Sequence, residues 1–260
     1  MSRRLILAAL GAAMLLAAPA YAADDVAGWK RELQTADDTK AEEAAKKLAA
    51  SKDGKATEAI LDALSLGVAP RHASVLLGGL SGRKDARSLE VLTFFAHNRN
   101  AEIRKRAVGL LGAIPDPKVV PALLDALSDT VPDVRAEASA ALGKRKEKSA
   151  EAKLLLLLER QDASAPAALA AIATPELVHR LAEKIGPIPD GLLCDTLGEI
   201  LKRPDFGPDS LRVEIVKTLA KIPVDASTGA LQEYLQASQK DAKRPSRLEA
   251  EAIVKQRSGS

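Results

Sequence analysis

Apolar side chains along this chain recur at helical spacing. Ile103, Ala107, Leu110 and Leu111 stand at i, i+4, i+7 and i+8, one face of a helix. Thirty-one residues later Val134, Ala138, Ala141 and Leu142 repeat that face. Leu123-Leu124 recurs in the same way as Leu154-Leu155. Shifting back by the same period takes Leu111 to Leu80 and Ala49, Leu123 to Leu92 and Leu61, and Ala107 to Leu76 and Ala45. Four units of about 31 residues are therefore in register over residues 39–159, each holding two helices. A single helix pair leaves much of its apolar surface wet, and stacking buries the second face.

The turns agree with this period. Ile114-Pro115-Asp116-Pro117 ends one helix and starts the next, with Asp116 as N-cap and Pro117 in the first turn, where a missing N–H is harmless. Asp129-Thr130-Val131-Pro132-Asp133 does the same one unit on. The clearest unit has helices over about 100–112 and 117–128. Gly112 and Gly143 fall where a left-handed C-terminal residue is expected. Thr39 and Glu42 have capping-box spacing. The run Leu154–Leu158 reads as a helix buried on more than one side.

After residue 159 the period degrades. Helix pairs are still expected over 163–173 with 175–184, then near 190–202, 208–221 and 226–238. A polar linker follows at 239–246, then a last helix over 247–256 and a tail. A first helix within 23–38, carrying Trp29 and Leu33, caps the stack. The domain plan is 1–22 leader, 23–38 cap, 39–159 four repeats, 160–238 degenerate repeats, and 239–260 linker, helix and tail.

Asp133-Val134-Arg135, Ala138 and Ala141-Leu142-Gly143 resemble the second-helix pattern of HEAT repeats. Val119–Leu127 resembles their first-helix pattern. The likeness is strongest over 85–159 and is nearest to the short bacterial HEAT-like repeats of phycobilisome lyase subunits. It implies an all-α fold: a right-handed, armadillo-like α-solenoid of stacked two-helix units. It also implies that Arg104 and Arg135 join a ladder with acidic neighbours between units, with Asp133 as candidate partner. The family mostly supplies binding surfaces, so the resemblance implies a scaffold for protein–protein interaction.

Composition changes this picture in two places. Arg3 and Arg4, the uncharged run Leu5–Ala18 and the small-x-small site Ala20-Tyr21-Ala22 form an export signal, with the mature chain starting at Ala23. Ser2-Arg3-Arg4 leaves the route open between general and twin-arginine export. The expected location is the periplasm of a bacterium, or outside the cell. The leader holds two of the 38 basic side chains and none of the 35 acidic ones, which takes the charge from +3 to +1. So neutral a surface gives no drive toward nucleic acid. Aromatics at 2% of the chain supply no stacking platform for bases or sugars. Cys194, the one cysteine, makes no internal disulfide and reads as a small buried residue.

Candidate chemistry is thin. His72, His97 and His179 are far apart and lack a second ligand at metal spacing, so no metal or other cofactor is expected. Gly78-Gly79 follows no strand and is not a phosphate loop. No catalytic residue stands out, and the expectation is a non-enzyme. The expected partner-binding surface is one side of the second-helix row: Glu102, Lys105, Arg106 and Gly109, then Ala136 and Glu137. Positions 78, 109 and 140 form a Gly, Gly, Ala column that would let a partner backbone lie close. Lys144, Arg145 and Lys146, with Lys148, form a basic cluster at a helix end. The expected function is an exported scaffold that binds another protein through a concave helical surface. Two further readings are a non-catalytic binder of anionic envelope polymer or lipid through that cluster, and a lyase-like enzyme subunit.

Overall fold

A computed structural model describes residues 25–83, 85, 87–241 and 243–259. The expected leader and the start of the mature chain lie outside the described residues. The described residues form fifteen α-helices, three short 3-10 turns and no strand. The only bridge among them joins Ile185 and Ile188.

The helices are α1 (Val26–Glu32), α2 (Asp38–Ala50), α3 (Gly54–Leu66), α4 (Pro70–Gly79), α5 (Arg87–Phe95), α6 (Ala101–Ala113), α7 (Val120–Ala126) and α8 (Pro132–Lys144). They continue as α9 (Glu151–Glu159), α10 (Ala165–Ile172), α11 (Pro175–Ala182), α12 (Asp190–Lys202), α13 (Asp209–Ala220), α14 (Asp225–Ala237) and α15 (Pro245–Ser258). Their packing is a solenoid. Each even-numbered helix from α2 to α14 lies on the next even one, while odd-numbered helices form a second row outside them. The even row is in closer contact along most of its length, the arrangement expected of the inner side of a solenoid.

The core is one ribbon between the rows. Ala45, Leu76, Ala107 and Ala138, the same position in four units, are buried, as are Leu61, Leu92, Leu123 and Leu154. An acidic side chain caps the outer helix of each unit at the same place. Asp53, Asp85, Asp116 and Glu147 accept a backbone hydrogen bond from Lys55, Arg87, Lys118 and Ser149 in turn.

Several local expectations are corrected. Gly112 and Gly143 lie inside α6 and α8 and are not left-handed caps. Lys146 (φ 52°) and Gln161 (φ 62°) take that conformation. Behind them Glu147 and Asp162 donate N–H bonds to Leu142 and Leu157 at 3.0 and 2.9 Å, the Schellman closure. The glycines serve close approach: a Cβ on Gly112 would stand 2.6 Å from the Ala141 Cβ, and one on Gly79 2.6 Å from the Ala49 Cα. Asp37 caps α2 by accepting from Thr39 and Lys40, and Glu42 pairs with Lys46, so no capping box forms at Thr39. In the leucine run, Leu154, Leu157 and Leu158 are buried but Leu156 is 44% exposed.

The C-terminal region is docked. A 3-10 turn at Gln239–Asp241 leads into α15, which packs on α13 and α14. Ser246 donates to both oxygens of the Asp209 carboxylate and its hydroxyl meets the Tyr234 hydroxyl at 2.5 Å. Arg257 reaches back to carbonyls of Leu219, Ala220 and Ile222. The last helix thus closes the end of the stack, where an open layer would leave apolar surface wet.

Candidate binding surface

The inner row is held by two sets of arginines. The first is the ladder that the resemblance implied. Arg104 holds Asp129 through Nε and Nη2 at 2.6 and 2.8 Å and donates to the Asn98 carbonyl at 2.9 Å. Arg135 holds Asp162 at 2.5 Å and donates to the Asp129 carbonyl at 2.8 Å. Each guanidinium therefore ties the turn before its own helix to the turn of the next unit. Asp133, the expected partner, does not take part. It bonds Lys105 at 2.8 Å on the exposed rim instead. The acid one turn earlier, at 129 or 162, points into the stack and takes the guanidinium.

These pairs are mostly buried, with 14% and 11% of the Arg104 and Asp129 side chains exposed. The Arg104 bond holds the Asp129 carboxyl below its ordinary range, against burial, which acts the other way. For Asp162, burial raises the pKa, but hydrogen bonds from Ser164 and Arg135 outweigh it and leave the value lowered. A carboxyl depressed in the folded state adds stability above its unfolded pKa of about 3.9. That stability is lost as pH falls through the lower folded value. The thermal midpoint should thus hold near neutral pH and drop below about pH 4. Asp129→Asn should flatten the drop in a pH series of thermal melts; an equally steep fall in the variant would reject the ladder as its source.

Sequence reasoning missed the second set. Arg83, after α4, donates to the carbonyls of Leu48, Ala49 and Ser51 at the end of α2 at 3.2, 3.0 and 2.6 Å. Arg145, after α8, donates to those of Ile114 and Asp116 behind α6 at 2.6 and 3.0 Å. Arg203, after α12, donates to that of Ala170 in α10 at 2.7 Å. A cation at a helix C-terminus complements the helix dipole and satisfies its last carbonyls. The available signal was the 62-residue spacing of Arg83 and Arg145, which is two units.

This set corrects the basic cluster. Arg145 is half-buried and committed to carbonyls, so it is not offered to a partner. Lys146 bonds Asp205 at 2.8 Å, and Asp205, held first by Arg203 and then by Lys146, titrates well below the carboxylate range. Lys144 and Lys148 are exposed. What read as one cationic patch is one arginine committed to carbonyls, one exposed lysine paired with Asp205, and two further surface lysines.

The other predicted residues do line the inner row. Glu102 and Ala136 are exposed there. Arg106 crosses back to the Ser74 carbonyl at 3.0 Å. A Cβ on Gly78 would meet the Arg106 guanidinium at 2.7 Å, and one on Gly109 would meet the Glu137 carboxylate at 2.7 Å. Positions 106 and 137 are equivalent, so one long side chain lies over each glycine. The Gly column is roofed from the next unit and is not an open bed for a partner backbone. Asp133, Arg135 and Ala136 also border a cleft of about 630 Å³ against the turn at 157–164.

The groups with latent chemistry stay apart. His72 is buried and accepts from Arg71 at 3.2 Å, His97 lies 3.6 Å from Asp125, and His179 lies 3.1 Å from Glu214. Burial pushes the Cys194 thiol up to about 11, so it stays protonated and unreactive at neutral pH. No helix among the described residues is long and apolar enough to cross a membrane.

Residues 89–174 match the profile of HEAT repeats. Comparison with curated proteins gives no match. Among solved structures, an engineered protein is 20% identical, with 88% of this chain aligned to 68% of that one at a TM-score of 0.46. A designed armadillo repeat protein is 18% identical over 89% of this chain and 99% of its own, at 0.33. The complex of CpcE and CpcF of phycocyanin lyase from Nostoc sp. PCC7120 is 16% identical over 98% and 99%, at 0.34. The chain is thus an α-solenoid that carries HEAT repeats over residues 89–174, with the same two rows of helices continuing on both sides of them.

Proposed function

We propose that this chain is an exported, non-catalytic scaffold that holds another protein against its inner row of helices. The observation that carries the reading is the unbroken stacking of the even helices from α2 to α14, locked between layers by Arg104 and Arg135. A surface fixed in this way loses little freedom when a partner docks, and the saved ordering cost appears as affinity. Glu102, Lys105, Ala136 and Glu137 present mixed charge and one small residue on that surface. The commitment of Arg145 to carbonyls of the preceding layer takes one of the four cations out of the cluster, which weakens the support for binding an anionic envelope polymer.

A photo-crosslinker placed at exposed Ala136 tests the proposal in cells. The expected result is one protein adduct that survives high salt, absent when the crosslinker sits at Phe94, which is 71% exposed on the outer row. The proposal fails if both positions give the same adducts, or if Ala136 gives none while the protein sediments with purified envelope in a salt-sensitive way.

A further inference from the structure

Alternate layers of the stack differ at one position, and the difference leaves a site. The arginines at 83 and 145 each fill the gap behind the preceding inner helix. The equivalent residue between them, 31 from each, is Ile114. No arginine of α6 therefore reaches back to the end of α4 at this position. A cleft of about 560 Å³ lies there, walled by Leu80, Leu89, Leu92, Leu110 and Ile114.

The cleft keeps the polar half of a guanidinium site. In the layer before it, Arg83 Nη1 donates to the Thr57 hydroxyl at 3.0 Å. One unit on, the residue equivalent to Thr57 is Ser88. Ser88 is 3% exposed, lines the cleft, and its hydroxyl has no hydrogen-bond partner. A buried unpaired hydroxyl is destabilising, so it calls for an explanation. The explanation is that the acceptor is present and its arginine is not. Asp85 and Asp116 also border the cleft, next to the electronegative end of α4. The Arg83 guanidinium is turned away toward α2, which leaves Lys118 as the opposing charge among the described lining residues.

We infer that this cleft receives an arginine side chain from a partner protein, its guanidinium on the Ser88 hydroxyl and its methylenes along the leucine wall. The inference rests on the proposed function for the partner being a protein, and adds a contact at the edge of the stack, at the C-terminal ends of α4 and α6. Arg83 shows the geometry in cis, one layer away. A guanidinium suits the cleft better than an ammonium, because its planar fork serves a hydroxyl and neighbouring carbonyls together.

The test uses the full chain with two synthetic peptides, acetyl-Leu-Arg-Leu-amide and its citrulline counterpart, which has the same shape without the charge. Chemical-shift titration of the leucine and isoleucine methyl groups reads binding. The arginine peptide should bind at least about tenfold more tightly than the citrulline peptide, the usual difference for a charge-assisted hydrogen bond. Ser88→Ala removes a hydroxyl without a partner, so it should keep the fold and weaken the arginine peptide by about three- to tenfold. Ile114→Arg should supply the missing side chain in cis, hold or raise the thermal midpoint, and abolish peptide binding. Equal binding of the two peptides, no binding of either, or unchanged binding to Ser88→Ala overturns the inference. The Ala136 crosslink does not involve this cleft, so it separates failure of this contact from failure of the scaffold reading.

Discussion

Arg135→Ala is expected to lower the unfolding free energy by about 3–5 kcal/mol, the range for removing one partner of a buried ion pair. The Asp162 side chain is only 9% exposed, and without Arg135 its charge would stay buried against a reduced set of donors. The Asp129 and Thr130 carbonyls would lose their donor in the same substitution. Arg135→Lys should rescue little, because one ammonium cannot span the carboxylate and both carbonyls. Lys105→Ala is the matched control. Its pair with Asp133 is 39% and 63% exposed, so the loss should stay within about 1 kcal/mol. Urea unfolding midpoints read all three. A shift for Arg135→Ala no larger than that of the control would mean that the ladder is ornamental and the layers are held by apolar contact alone.

The reason the ladder's arginines were legible, and its acids were not, is physical. Val134-Arg135 and Ile103-Arg104 recur with the apolar stripe, so periodicity places those arginines in equivalent seats. The choice between Asp129 and Asp133 depends on which way the chain turns before α8, and spacing along the sequence does not encode that. The same limit applies to Gly112 and Gly143. Their place near a helix end suggested a left-handed cap, whereas the helix runs on and the neighbouring layer fills the space a Cβ would need. Lys146 and Gln161 take the left-handed role although neither is glycine. The helix pairs themselves were readable because burial repeats every 31 residues, and that period depends on packing alone. The second arginine set repeats every two units, so comparison of adjacent units erases it. The Ser88 cleft lies in the same blind spot: it becomes visible once Thr57, Ser88, Arg83 and Ile114 are set side by side in three dimensions.

Leu142→Ala should reduce stability by about 2–5 kcal/mol, a large part of the 5–15 kcal/mol typical of a folded domain. Leu142 is fully buried in α8, which packs on α6, α7 and α10. The removed methyl groups leave a hole that rigid neighbours close only in part. In a stack each layer touches only its neighbours, so stability is a sum of unit and interface contributions. A hole in α8 weakens the junctions on both of its sides at the middle of the chain. The two halves should then unfold less in concert, and the urea transition should broaden as well as move, with a lower apparent m-value. Leu248→Ala, at a side chain 52% exposed on α15, should change the midpoint by no more than about 0.5 kcal/mol and leave the slope alone. A displaced transition of unchanged steepness would show that the layers are coupled beyond their neighbours. An unmoved midpoint would place the buried face of α8 elsewhere, and with it the surface proposed for the partner.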